Sequence, residues 1–121
     1  MDTDQPRRLS DLSGEDLLEV LGALSNPHRL RILSTLWGRR EYVSQLAREI
    51  GMSRPLLYLH LQKLEAAGLV TGSLELSDDG KAMKYFEVQP FVLEISADAI
   101  RHAASTLGSA PKRNPRPEEQ E

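Results

Sequence analysis

The chain has 121 residues, 40% apolar and 27% charged, with a net charge of −3, and this composition suits one small folded domain with a single core. It contains no cysteine, which excludes disulfides, thiolate metal sites and thiol redox sensing. No apolar run approaches the roughly 18 residues of a transmembrane helix, and the start MDTDQPRRLSD lacks the apolar centre of a signal peptide, so a cytoplasmic protein without a membrane partner is expected.

Residues 1–10 read as a loose, charged arm ahead of a domain spanning 11–107. Asp11 or Ser13 can cap a first helix carrying Leu17, Leu18, Leu21 and Leu24, with Glu15, Asp16 and Glu19 near its positive end. Asn26 as cap and Pro27 at the first helical position start a second helix. That helix offers Leu30, Ile32, Leu33, Leu36 and Trp37 to a core and stops at Gly38. Tyr42-Val43 reads as extended, and a third helix runs from Ser44 to Ile50, closed by Gly51. Ser53 caps a fourth, from Arg54 to Ala67, in which Pro55 is tolerated in the first turn. There Leu57, Leu61 and Leu64 share one face. After Gly68 the alternation Leu74, Leu76 against Ser73, Glu75 predicts a strand, Asp79-Gly80 a tight turn, and Met83 to Val88 the returning strand. Beyond Pro90 a long helix is predicted, carrying Phe91, Ile95, Ile100 and Leu107. Residues 108–121, rich in proline and charge, read as a disordered tail.

From Ser44 to Val88 the order is therefore helix, turn, helix, hairpin, which is the outline of a winged helix-turn-helix. The predicted fold is mainly α with a small antiparallel hairpin (α+β): about five helices and a two-stranded wing. A chain this short leaves much surface exposed, and terminal helices with few intrachain partners favour a homodimer. Leu17, Leu21, Phe91, Ile95, Ile100 and Leu107 are the candidate interface residues.

Charge supports contact with double-stranded DNA. Between Ser25 and Leu64 seven basic residues (Arg29, Arg31, Arg39, Arg40, Arg48, Arg54 and Lys63) stand against two acids, Glu41 and Glu49. Converging cations bind phosphates even on an acidic chain, and acidic ends limit indiscriminate binding; a solvated basic face is the plainer alternative. In such a fold the second helix of the pair enters the major groove and reads base edges from its N-terminal half. The presenting residues would be Ser53, Arg54, Pro55, Leu56, Tyr58, Leu59, Gln62 and Lys63, with Arg54 suited to guanine, Gln62 to adenine and Tyr58 to a phosphate. Lys81 and Lys84 on the wing suit phosphates, although Asp78 and Asp79 lie beside them. Leu56 and Leu59 are unusual on such a face: they can contact only thymine methyls or another apolar surface.

Three segments, ALSNPHRLRIL (Ala23 to Leu33), VSQLAREIGMS (Val43 to Ser53) and LHLQKLEAAGLV (Leu59 to Val70), resemble the ArsR/SmtB family of winged-helix repressors. The positions that carry the likeness are Pro27, Arg29, Ile32 and Leu33, then Ser53, His60, Leu61, Leu64, Ala67, Gly68, Leu69 and Val70. The resemblance implies a homodimer joined by the first and last helices, an inverted-repeat operator near its own promoter, and release by an effector, either a small molecule or a protein. The thiolate motif of the family's metal sensors is absent: Tyr42-Val43-Ser44-Gln45-Leu46 stands in its place. Tyr58 replaces the serine usual before the histidine, and Pro55 and Leu56 replace small polar residues, so base preference does not transfer.

No cofactor is expected. Asp98 and His102, four apart, could share a helical face as metal ligands, but no later histidine completes a set, and an ordinary surface pair is the simpler account. His60 is expected to pack or bond locally, His28 to be neutral or to touch a phosphate, and Trp37 to lie in the core. No phosphate loop, carboxylate pair or nucleophile motif is present, so an enzyme is rejected. Two functions remain: a DNA-binding transcriptional repressor, and a protein-interaction module using Leu56, Tyr58 and Leu59.

Overall fold

Side-chain caps start four of the five helices in the computed structural model, which describes residues 6–108. Ser13 accepts from the Asp16 amide at the head of α1 (Gly14–Leu24), Asn26 from the His28 and Arg29 amides at α2 (Pro27–Leu36), Ser53 from Leu56 at α4 (Arg54–Ala66), and Ser96 from Ala99 at α5 (Ala97–Ser105). The exception, α3 (Val43–Ile50), continues directly from a strand and ends at Gly51, whose left-handed φ of 77° favours a residue without a Cβ. Five helices with an antiparallel wing make this a winged helix-turn-helix, and none of the described helices is long and apolar enough to cross a membrane.

The wing pairs β3 (Val70–Leu76) with β4 (Ala82–Val88), in register from Val70 opposite Val88 to Leu76 opposite Ala82. Its tip is closed by the Ser77 amide donating to the Lys81 carbonyl at 2.8 Å and the Gly80 amide donating to Ser77 at 2.9 Å. A third strand, β2 (Arg40–Tyr42), lies against the other edge of β4. The core gathers Ile32 and Leu36 of α2, Leu46 of α3, Leu57, Leu61 and Leu64 of α4, and Leu69, all without solvent exposure. Burying each such side chain contributes about 1.5–3 kcal/mol, so α4 is held by its three leucines along one stripe.

Several elements differ from the expectation. Residues 7–9 of the supposed arm form β1 (Arg7–Leu9), parallel to β5 (Phe91–Leu93), with Leu9 buried. Arg7 donates to the Gly68 carbonyl at 3.3 Å and Arg8 pairs with Glu94, so the two arginines fasten the segment. Residues 1–5 and the predicted tail from 109 onward lie outside the described residues. The long helix beyond Pro90 is instead β5 followed by the nine-residue α5. Phe91 and Leu93 alternate inward against the core, which suits a strand, and the helix begins only after the Ser96 cap. In α2 the inward face is Arg29, Ile32 and Leu36; Leu30 and Trp37, expected in the core, are 53% and 65% exposed. Trp37 follows the last helical residue with ψ at 124°, which turns it out of the helical stripe.

The α1–α5 junction depends on Gly14. Its amide donates to Thr106 Oγ1 at 2.7 Å, and a Cβ there would overlap the Leu107 side chain and lie 2.6 Å from the Ala103 carbonyl oxygen. Gly22, in the same helix, faces open space. Gly14→Ala should therefore destabilise the protein by about 1–3 kcal/mol through overpacking, while Gly22→Ala should stabilise it by about 0.4–1 kcal/mol by restricting the unfolded chain. Urea denaturation of both variants checks the pair, and similar losses in the two would contradict this account.

Candidate nucleic-acid interface

Once Leu57, His60, Leu61 and Leu64 turn inward, the remaining face of α4 is fixed by helical geometry. Arg54, Pro55, Leu56, Tyr58, Leu59, Gln62 and Lys63 all lie exposed on it, with Ser53 at its head. The apolar character read from the sequence is real: Leu56, Tyr58 and Leu59 are 43%, 38% and 60% exposed. Leu59, Gln62 and Lys63 also border a shallow cleft whose other wall is Leu18, Glu19 and Gly22 of α1. No acid occupies the first turn of α4, whereas α1 and α5 carry acids there. Arg54 thus adds charge to a dipole end that is already positive, which weakens the helix slightly and attracts anions.

The basic stretch is less available than its count suggests. Arg29 is buried. Arg39 lies 2.5 Å from Glu49 and also reaches Glu41, and Arg40 lies 2.5 Å from Glu75 while covering the Tyr85 ring at 4.2 Å. The Arg39 hydrogen bond, joined by one from Gln45, holds the Glu49 carboxyl below its ordinary range, and Arg40 does the same for Glu75. Among the described residues of this stretch, Arg31, Arg48, Arg54 and Lys63 have no acid partner. Arg48 instead donates to Gln45 on its own helix.

Lys81 stands exposed at the wing tip, its amide on Ser77 Oγ at 3.1 Å. The Asp79 carboxyl beside it is held low, first by the Ser77 hydroxyl and then by the Lys81 amide. Lys84 is half-buried, with its ammonium 5.6 Å from the Phe86 ring centre, so it sits along the wing rather than at the tip. Leu74 and Leu76 are 69% and 75% exposed, and the pairing register sets them beside Lys84 and Ala82. Their alternation with Ser73 and Glu75 signalled a strand, but only the length of the wing shows that this face outruns the core.

Beneath α4 lies a polar contact that the sequence did not disclose. Arg29 donates through Nε to the Ala23 carbonyl at 2.7 Å and through one terminal nitrogen to Gly22 at 3.2 Å. Its other terminal nitrogen meets His60 Nδ1 at 3.1 Å. A guanidinium can only donate, so Nδ1 accepts and the ring proton sits on Nε2, which has no partner among the described residues. Burial first, then Arg29 and then His28, whose ring centre is 5.6 Å away, push the His60 imidazole below its ordinary range and keep it neutral.

The residues assigned to a dimer interface divide into two groups. Leu17 and Leu21 are half-buried on α1, and Phe91 is half-buried against the chain's own core. Ile95, Ile100 and Leu107 are 46%, 50% and 42% exposed. Asp98 and His102 line one open cleft beside α5, but the Asp98 carboxylate bonds Arg101. The described residues hold no group of three or more potential metal ligands.

A helix-turn-helix domain family model matches residues 24–73. An uncharacterized HTH-type transcriptional regulator of Methanocaldococcus jannaschii is 36% identical over 86 residues, which are 71% of this chain and 90% of that protein. The HTH-type transcriptional repressor SmtB of Mycobacterium tuberculosis is 33% identical over 98 residues, 81% of this chain and 67% of that one. Among solved structures, the homodimeric winged helix-turn-helix DNA-binding domain of a possible ArsR-family transcriptional regulator from Mycobacterium bovis is similar, with a TM-score of 0.55 and 26% identity, covering 75% of this chain and 74% of that one.

The cap at the head of α4 is directly testable. Ser53→Ala should lower stability by about 0.5–2 kcal/mol and Ser53→Gly by only a few tenths. Equal losses in urea denaturation would show that the Ser53 hydroxyl is not the cap.

Proposed function

We propose, since the chain belongs to the ArsR/SmtB family of winged helix-turn-helix transcriptional regulators, that it is a homodimeric repressor binding an inverted-repeat operator in double-stranded DNA. Membership makes it a DNA-binding regulator and not an enzyme. The observation that supports the finer reading is the outward face of α4, rigidly packed from behind by three buried leucines and electropositive at its N terminus.

In this reading α4 enters the major groove and α3 braces it against the backbone. Arg54 pairs with guanine and Gln62 with adenine, each bidentate contact being worth about 1–3 kcal/mol of discrimination. Leu56 and Leu59 meet thymine methyls, Tyr58 and Lys63 meet phosphates, and Lys81 takes a phosphate beside the minor groove, with Lys84 farther along the wing. Leu17, Leu21, Phe91, Ile95, Ile100 and Leu107 contribute to the dimer face along α1, β5 and α5. The homodimeric relative from Mycobacterium bovis supports that assembly. Two-fold symmetry then places half-sites about one helical turn, roughly 10 bp, or a multiple of it, apart. The effector is a small molecule or a protein and not a thiolate-bound metal, because the chain has no cysteine.

The exposure of Leu56, Tyr58 and Leu59 supports a second reading, a protein-interaction surface. Salt separates the two, since affinity that comes from phosphate neutralisation falls steeply as salt rises. A purified protein with no preference for its own upstream region over random duplex would sink the repressor reading. Arg54→Ala is expected to abolish operator preference. Lys81→Ala is expected to weaken all duplexes alike and to reduce the salt slope by about 1. Unchanged selectivity in Arg54→Ala would remove that residue from the base-reading set.

A further inference from the structure

A dimeric winged helix must hold each reading helix at a fixed position relative to its partner, because the duplex sets the spacing of the half-sites. In this chain α1 belongs to the dimer face proposed above and α4 is the reading helix, so the contacts between α1 and α4 carry that spacing. Among the described residues, the polar part of the connection passes through one side chain. Arg29, on α2, binds the Gly22 and Ala23 carbonyls in the last turn of α1 and His60 in the middle of α4. Those carbonyls lie at the negative end of the α1 dipole, and α1 has no basic residue of its own in its last turn. Arg29 supplies the missing cation from the neighbouring helix.

We propose that Arg29 and His60 are positioning residues that couple the dimerisation helix to the reading helix, and that acid breaks the coupling at His60, so that affinity for DNA falls when the imidazole takes a proton. The proposal rests on the DNA-reading function given above. Its chemistry follows from donor and acceptor counts. A guanidinium carries donors and no acceptor, so the bond at 3.1 Å needs the lone pair of Nδ1. A second ring proton must go to that nitrogen, which then faces an N–H donor and a fixed positive charge. At the other nitrogen, Nε2–H lies buried without an acceptor among the described residues, so the cation gains no compensating bond from them.

The surroundings oppose the charge as well. The groups that act on His60 electrostatically are Arg29 and His28, both on α2 and both able to be cationic. Among the described residues, α1, α3 and β3, the other elements packed against α4, bring no carboxylate that acts on it. Lys63, one turn further along α4, is exposed and also basic. Burial and these neighbours keep the bound imidazole below its ordinary value, near 6.5. A conformer that releases His60 therefore takes the proton first, and the coupled form loses ground as pH falls below that ordinary value.

The sign of the effect separates this mechanism from simple electrostatics. Positive charge gained in acid by itself strengthens attraction to phosphates. The coupling mechanism requires the opposite.

The experiment uses the full chain and a fluorescently labelled duplex that the protein itself selects from a random pool at pH 7.5. Affinity is measured by anisotropy at constant ionic strength, from pH 7.5 down to the lowest pH at which circular dichroism shows the protein folded. The wild type should weaken by about tenfold, the scale of one charge-assisted hydrogen bond. His60→Asn, whose Oδ1 lies two bonds beyond Cβ as Nδ1 does and so still accepts from Arg29 without titrating, should stay within about twofold over the same range. His28→Ala removes a neighbour that holds the His60 imidazole down, and the midpoint of the loss should move to higher pH. Wild-type affinity that holds or tightens in acid overturns the proposal, as does a His60→Asn profile that falls with the wild type. Should His60→Asn fail to fold, an unmoved midpoint in His28→Ala overturns it instead. A wild type that selects no duplex at pH 7.5 is a different result, which overturns the regulatory reading itself.

Discussion

Burying a guanidinium is costly unless its donors are met by acceptors, and Arg29 meets that condition by joining α2 to α1 and α4. Asn26 caps α2 so that Arg29 falls three residues into the helix, on the same inward face as Ile32 and Leu36. The α1–α2 corner folds tightly enough for the last carbonyls of α1 to return over the start of α2, where they accept from Arg29. His60 of α4 accepts a third bond. If α1 ended one turn earlier, or if α4 presented a side chain that could not accept, a charge would be left unpaired in the interior. The three leucines hold α4 to the core, but apolar contact is not directional. The hydrogen-bonded fork of Arg29 supplies direction.

The same residue marks the boundary of what the sequence discloses. Caps and stops are local chemistry: Ser13, Asn26 and Ser53 begin their helices where their hydroxyl or amide oxygens meet free backbone N–H groups, and Gly51 ends α3 in the one conformation glycine enters freely. The outward face of α4 was legible for the same reason, because assigning Leu57, Leu61 and Leu64 to the core leaves only one face for Arg54, Leu59 and Gln62. The pairing of β1 with β5 joins residues far apart in sequence, and three residues carry too little pattern to announce it. Leu30 and Trp37 looked like core because they are apolar, while Arg29 looked like surface because it is charged. The helix geometry reversed all three, and only the positions of α1 and α4 reveal why.

The electrostatic picture changes with it. A stretch of seven basic residues suggests a strongly cationic face, but Arg29 is committed to the interior and Arg39 and Arg40 to Glu49 and Glu75. The carboxylates are held below their ordinary range by those partners. What remains on the proposed DNA-facing side is sparse: Arg54 and Lys63 on α4, set among the exposed Leu56, Tyr58 and Leu59, and Lys81 at the tip of a wing that exposes Leu74 and Leu76. Such a surface would combine phosphate contacts through its few cations with dehydrating apolar contacts, which depend on close fit.

In the proposed dimer, two-fold assembly would add to the affinity of each protomer's face. Joining two weak sites raises apparent affinity by orders of magnitude only while both can engage together, and the advantage disappears when their spacing is wrong. Contacts that set the spacing then control binding as strongly as contacts that touch bases. In the proposed coupling the spacing passes from α1 to α4 through a buried arginine and a neutral histidine. A small displacement there would remove the cooperative gain of the second site without altering any residue on the reading face, so the interior of the domain would be as suitable a place for control as its surface.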